Sequence, residues 1–154
     1  MKHGPLRFPL HIPFVEELGF ELWAFAGGQA QLRVDLAQAH LNSWEVAHGG
    51  VLMTLLDVAM AHAARSVNAA QEDHGPGVAT IEMKTSFMRA AEGRLTANAK
   101  LLHRTTTLAF CEGSVLDDDG ALCAHATATF KYLRALPSKR RELKPLQPNI
   151  EGTP

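Results

Sequence analysis

The run Val51-Leu52-Met53-Thr54-Leu55-Leu56 is followed by Asp57 and then by Val58-Ala59-Met60-Ala61, so Asp57 is the one charge in an otherwise apolar stretch. A helix that is hydrophobic on all sides is one that protein surrounds, and the pattern carries it from about Gly49 to Val67. Elsewhere the period drops to two. Gln29 to Leu36 places Ala30, Leu32, Val34 and Leu36 on one face and Gln29, Gln31, Arg33 and Asp35 on the other, a strand with one wet face. Phe20 to Ala26 reads as its hairpin partner across Gly27-Gly28. Pro13 to Leu18 reads as a short helical turn that Gly19 closes. Beyond an irregular stretch, 37–47, and the long helix, strands are predicted at about Val78 to Met88, Arg94 to His103 and Leu108 to Leu116. A last one, Ala121 to Leu133, follows the turn signal Asp117-Asp118-Asp119-Gly120.

This order predicts an α+β fold, because strands joined by short turns pair antiparallel and a long helix without a polar face must be wrapped by their sheet. At 154 residues the chain is long enough for one domain that buries roughly two-thirds of its unfolded surface. That domain is expected over 1–135. Residues 136–154, with Pro137, Pro145, Pro148, Pro154 and the run Lys139-Arg140-Arg141, are expected to be an extended or disordered extension.

Composition narrows the function. Charged residues make up 20% and the net charge is -1, so no global positive field recruits nucleic acid or an anionic membrane, and any polyanion contact must be local. The longest apolar run is shorter than a bilayer span and contains Asp57, and the Pro- and His-broken start of the chain has no continuous apolar core of a signal peptide. Cys111 and Cys123 form no CxxC pair and read as small buried hydrophobes of a reducing compartment, hence a cytoplasmic protein. His40, His62, His74, His103 and His125 show no metal-ligand spacing, so no metal and no cofactor is implied.

The dense polar cluster lies at the start of the long helix: Asn42-Ser43-Trp44-Glu45-Val46-Ala47-His48-Gly49-Gly50, followed by Asp57. Two glycines at a helix start let a ligand approach the backbone, and the free N–H groups of the first turn are preset donors for an oxyanion. Alone, His48-Gly49-Gly50 is as well read as a helix entry, and Asp57 as a structural acid paired to Arg65, His62 or a second chain. Together they suit attack on a carbonyl. Gly49 and Asp57, eight positions apart, are separated by about 12 Å along the axis, whereas attack requires both within about 3 Å of the reacting group. If both act on one substrate, the amide and the carboxylate come from different subunits, so a dimer is required.

Asn42, His48-Gly49-Gly50 and Asp57, with Phe87-Met88-Arg89 and Leu108-Ala109-Phe110 in the later strands, resemble the hotdog-fold acyl-CoA thioesterases of the phenylacetic-acid-degradation (PaaI) type. The resemblance runs from about Val15 to Leu133. It implies an antiparallel sheet around one helix, metal-free hydrolysis of acyl-CoA, and dimers that pair into tetramers. It further implies that Asp57 is general base or nucleophile, that the Gly49 N–H polarises the carbonyl, that Asn42 and His48 orient water and substrate, and that Thr80 assists the attacking water. Gly50, Arg89 and Arg104 are candidate substrate contacts, the two arginines for CoA phosphates. The chain departs from the family at three places: Glu45 stands where many members have glycine, Ala90 replaces a frequent proline, and Thr105-Thr106-Thr107 occupies a site where glycine and a basic residue commonly precede the threonine.

Two rival functions remain on sequence grounds. A hotdog hydratase or dehydratase needs a catalytic His and usually a proline-rich turn, which His48-Gly49-Gly50 does not supply. A non-catalytic acyl-CoA-binding module would not need Asp57. Trp23 and Trp44 read as packing residues, Trp44 with the option of bordering an acyl pocket, and the tail's basic run as solvated charge.

Overall fold

The computed structural model describes residues 4–70, 75–137 and 143–149. In chain order it comprises α1 (Pro13–Glu17), β1 (Glu21–Ala26), β2 (Gln29–Asp35), a 3-10 turn at Gln38–His40, α2 (Gly49–Ser66), β3 (Gly77–Phe87), β4 (Arg94–Arg104), β5 (Leu108–Leu116), β6 (Leu122–Leu133), β7 (Ala135–Pro137) and β8 (Leu143–Pro145). The first six strands form one antiparallel sheet in the order β1-β2-β4-β5-β6-β3. All six contact α2. This is the α+β layout expected from the sequence, with strand ends within a residue or so of those predicted.

The helix lies close to the sheet because the strands beneath it carry small residues. Ala97, Ala99, Ala109, Ala124, Ala126 and Ala128 are buried beneath Leu52, Leu55, Leu56, Ala59, Met60 and Ala63. At Gly113 a Cβ would meet Leu56 Cδ2 at 3.2 Å and Met60 Cγ at 3.3 Å, so even alanine there would press on the helix. The β1–β2 turn has Gly27 and Gly28 at φ 60° and 81°, the left-handed pair of a type I′ hairpin that matches strand twist.

Within one chain the sheet covers one side of the helix: Gly50 is exposed, and Met53, Thr54, Asp57 and Ala61 are only partly buried. These positions lie at helical spacing on the side away from the sheet. A single sheet covers a single side, and apolar residues on the other side remain for something else to cover.

Residues 8–11 and 147–149 meet. Leu10 bridges Pro148, His11 N–H donates to Gln147 O at 3.0 Å, and Asn149 Nδ2 donates to Phe8 O at 3.2 Å, while β7 and β8 pair with each other. The extension expected from residue 136 thus contains a short strand pair. Lys139-Arg140-Arg141, His74 and Pro154 lie outside the described residues.

Phe8 of this N-terminal strap and Phe25 of β1 flank the buried His62 ring edge-on, with centroids 5.3 and 5.8 Å away. Nδ1 bonds Val58 O at 2.7 Å, Nε2 has no partner, and burial pulls the imidazole pKa from 6.5 down to about 4. A folded pKa below the unfolded one means that the unfolded chain takes up the proton first. The stability held by neutral His62 is therefore complete above about pH 6.5 and is lost as pH falls toward 4, by about 3 kcal/mol in all. Urea unfolding at pH 7 and pH 4.5 should show that loss in the wild type and a markedly smaller one in His62→Phe; equal losses would refute it.

Candidate active site

The start of α2 is built by its own side chains. His48 takes extended backbone (φ -62°, ψ 137°) as N-cap, and its Nδ1 accepts from Gly50 N–H at 2.9 Å. An accepting Nδ1 leaves the ring proton of the neutral imidazole on Nε2. Gly50 N–H is thereby engaged by its own cap. No hydrogen bond among the described residues engages Gly49 N–H, as geometry requires of a first helical residue whose cap has no reach to it. The free donor of the turn is Gly49.

Ahead of it, the loop at Asn42–Ala47 is held shut. Asn42 Oδ1 accepts from Trp44 N at 2.9 Å and Val46 N at 3.4 Å, Asn42 N–H donates to Val46 O, and Leu41 bridges Ala47. Asn42 thus fixes the loop with its carbonyl oxygen. Glu45, where the family often has glycine, sits at φ 60°, a left-handed conformation that accounts for a glycine preference there. Trp44 is 81% exposed at the loop tip, so it does not pack in the core. Trp23 lies on the outer sheet face under the Arg33 guanidinium, 4.1 Å from the ring.

Asp57 is partly buried on the open side of α2 and accepts from Thr80 Oγ1 at 2.7 Å through Oδ1. It makes no ion pair among the described residues, so neither Arg65 nor His62 ties it off. Burial raises its pKa and the Thr80 hydrogen bond partly offsets the rise. Such a carboxylate keeps an oxygen available and holds a proton more firmly than a solvated one, which suits proton abstraction at neutral pH.

A bulge in β3 brings Thr80 to this place. The β3–β6 register slips between Thr80 and Glu82, leaving Ile81 unpaired. Thr80 and Phe87 are seven residues apart and would face opposite ways in a regular strand. With the extra residue both face α2: Thr80 reaches Asp57, and the Phe87 ring lies 3.5 Å from where a Cβ on Gly49 would stand. The β3 edge therefore brackets the helix segment that carries both reactive groups. Half-exposed Phe87 and Met88 give its end an apolar surface, a feature the sequence reading assigned no role.

The arginines separate. Arg89 is exposed beyond β3 at the Gly49 end, its N–H donating to Cys123 O at 3.2 Å. Arg104 is at the opposite end of α2, where Nη1 donates to Asn68 Oδ1 at 3.1 Å. Cys111 and Cys123 are buried thiols, Cys111 pushed by burial up to about 12.

Comparison with known proteins covers this same region. The sequence pattern of the thioesterase superfamily matches residues 45–124, a stretch that takes in His48, Gly49, Asp57, Thr80 and both arginines. The medium/long-chain acyl-CoA thioesterase YigI of Salmonella typhimurium is 27% identical over 135 residues, 80% of this chain and 87% of that protein. Among solved structures, a conserved protein of Pseudomonas aeruginosa has a TM-score of 0.74 at 29% identity and covers 84% of this chain and 100% of its own. A mutant of the phenylacetic acid degradation protein PaaI from Thermus thermophilus has a TM-score of 0.70 at 26% identity, with 79% and 100% covered.

Proposed function

The chain belongs to the thioesterase superfamily, with the hotdog fold and PaaI-like relatives, and is a thioester hydrolase; we propose that its substrate is an acyl-CoA, cleaved to free acid and CoA. The observation that carries the reading is the uncharged surrounding of Asp57: its carboxylate is held by a hydroxyl alone, on an open helix face, eight residues from an unoccupied amide. In this scheme Asp57 takes a proton from water, the water oxygen adds to the thioester carbon, and the carbonyl oxygen gathers charge against Gly49 N–H. Collapse then releases CoA thiolate and the free acid. A direct attack by Asp57 uses the same geometry.

Both groups reach one carbonyl only in a dimer. Gly49 and Asp57 are about 12 Å apart along α2. Their midpoint is Met53, on the open stripe of the helix, and a twofold axis through Met53 with antiparallel helices would set each Gly49 beside the other protomer's Asp57. The edge strand β3 supports that contact. It is eleven residues long with one side of its backbone unpaired, and Ile81 and Phe87 are 55% and 51% exposed. Asn42 then acts by holding the loop, His48 by presenting Gly49 and offering Nε2–H, and a tetramer would arise from two such dimers.

Phe87 beside Gly49, continued along the chain by the exposed Met88, favours an apolar acyl group, in keeping with the medium/long-chain activity named for the Salmonella relative. A panel of short, long and aromatic acyl-CoAs, read by thiol release, tests the proposal. Turnover should appear and should be highest with medium or long acyl chains; silence across the panel would end the acyl-CoA reading.

A further inference from the structure

Between Gly49 and Ala61 of α2 the only side chains that carry oxygen are Thr54 and Asp57. Both are partly buried on the open stripe, and their spacing of three on a helix brings the Cβ atoms to about 5–6 Å. Helical side chains lean toward the N-terminus, so the Asp57 carboxylate lies over the turn that holds Thr54. The hydrogen bonds on this stripe are unbalanced. Thr54 Oγ1 donates its proton to Gly50 O at 2.8 Å, a bond that fixes the rotamer and leaves the oxygen only as an acceptor. Asp57 Oδ1 accepts from Thr80 Oγ1, and no donor among the described residues reaches Oδ2. Two acceptors therefore stand as neighbours on an open face, and with Asp57 ionised neither can donate to the other.

We infer that Thr54 and Asp57 together hold the attacking water, an inference that rests on the acyl-CoA reading and adds to it the group that sets the direction of attack. A molecule with two protons to give satisfies both acceptors at once, and water is the smallest of these. With one O–H on Asp57 Oδ2 and the other on Thr54 Oγ1, the water turns its lone pairs away from the helix, toward the space where a carbonyl bound at a Gly49 N–H has its carbon. The step balances. The water oxygen bonds to the carbonyl carbon and Asp57 takes the first proton; the C–S bond then breaks, its electron pair leaves with the CoA sulfur, and Asp57 returns the proton to that thiolate. The second proton stays on the acid product. Thr80, bonded to Oδ1 from β3, orients the carboxylate, and Thr54 orients the water.

Thr54→Val keeps the shape of the side chain and removes the acceptor, whereas Thr54→Ser keeps the acceptor. With thiol release from acyl-CoA as the assay, T54V should lower kcat by roughly 3- to 10-fold, the effect of one hydrogen bond to the attacking water, with KM and melting temperature held. T54S should recover most of the loss. Methanol gives a second readout. It has one proton to donate and needs Asp57 alone, so in water–methanol mixtures T54V should form more methyl ester relative to free acid than the wild type does, a ratio that a merely structural threonine would not move. T54V at the wild-type kcat, T54S as slow as T54V, or an unchanged ratio of ester to acid overturns the inference and leaves the hydrolase standing. A wild type that hydrolyses no acyl-CoA removes the acyl-CoA reading, and this inference with it.

Discussion

Asp57→Asn is expected to lower kcat for acyl-CoA hydrolysis by on the order of 10²–10⁴-fold while the enzyme still binds the thioester. The substitution keeps the shape of the side chain and an oxygen that accepts from Thr80 Oγ1, so the local hydrogen bond survives. It removes only the ability to take a proton or to attack. Folding should not suffer, since burial already disfavours the charge at this position and an amide carries none. Steady-state kinetics beside a thermal melt separates the effects: lost turnover at an unchanged melting temperature is the expected pair, and normal turnover would remove Asp57 from the chemistry. Thr80→Val probes the same group differently. Because the hydroxyl is what offsets the raised pKa of Asp57, its loss should move the acid limb of the kcat–pH profile to higher pH, the active species being the deprotonated carboxylate.

The fold was legible because its periods are clean. The alternation of Gln29–Asp35, the two-glycine turn before it and the Asp117–Gly120 turn each have one reading, and all appear where the pattern placed them. What periodicity does not carry is cover. Met53 and Ala61 are as apolar as Leu52 and Met60, and which of them faces the sheet is settled by the rotation of the helix on strands far away in sequence. The site divides in the same way. Gly49 and Asp57 were visible as a donor turn and an acid out of place. The use of Gly50 N–H by its own cap depends on a rotamer of His48, and the joint orientation of Thr80 and Phe87 on a bulge that no residue type announces. The charge cluster at Arg104 was half visible. Thr105–Thr107 suggested a lost cation, whereas Arg134, at the end of another strand, lines one cavity together with Arg104, Thr105 and Thr106.

Mixing two inactive variants tests whether the site is shared between protomers. Gly49→Pro removes the one donor in question with little else disturbed. Proline is at home in the first helical position, where the N–H has no intrahelical partner, and His48 already holds the extended conformation required before a proline. A Cβ at 49 meets Phe87 at 3.5 and 3.6 Å, ordinary contact distances. Alone, this variant should lose about 10²–10³-fold in kcat, the cost of removing one oxyanion donor. When it is unfolded and refolded with Asp57→Asn at equal concentration, half of the dimers pair one of each. In these, one site joins Asp57 from the proline variant to the Gly49 amide of its partner and is intact, and the other lacks both. Activity should recover to roughly a quarter of the wild-type level, a gain that neither parent can supply. If the carboxylate and the amide served one substrate within a single protomer, every site in the mixture would lack one of them, and no activity would return.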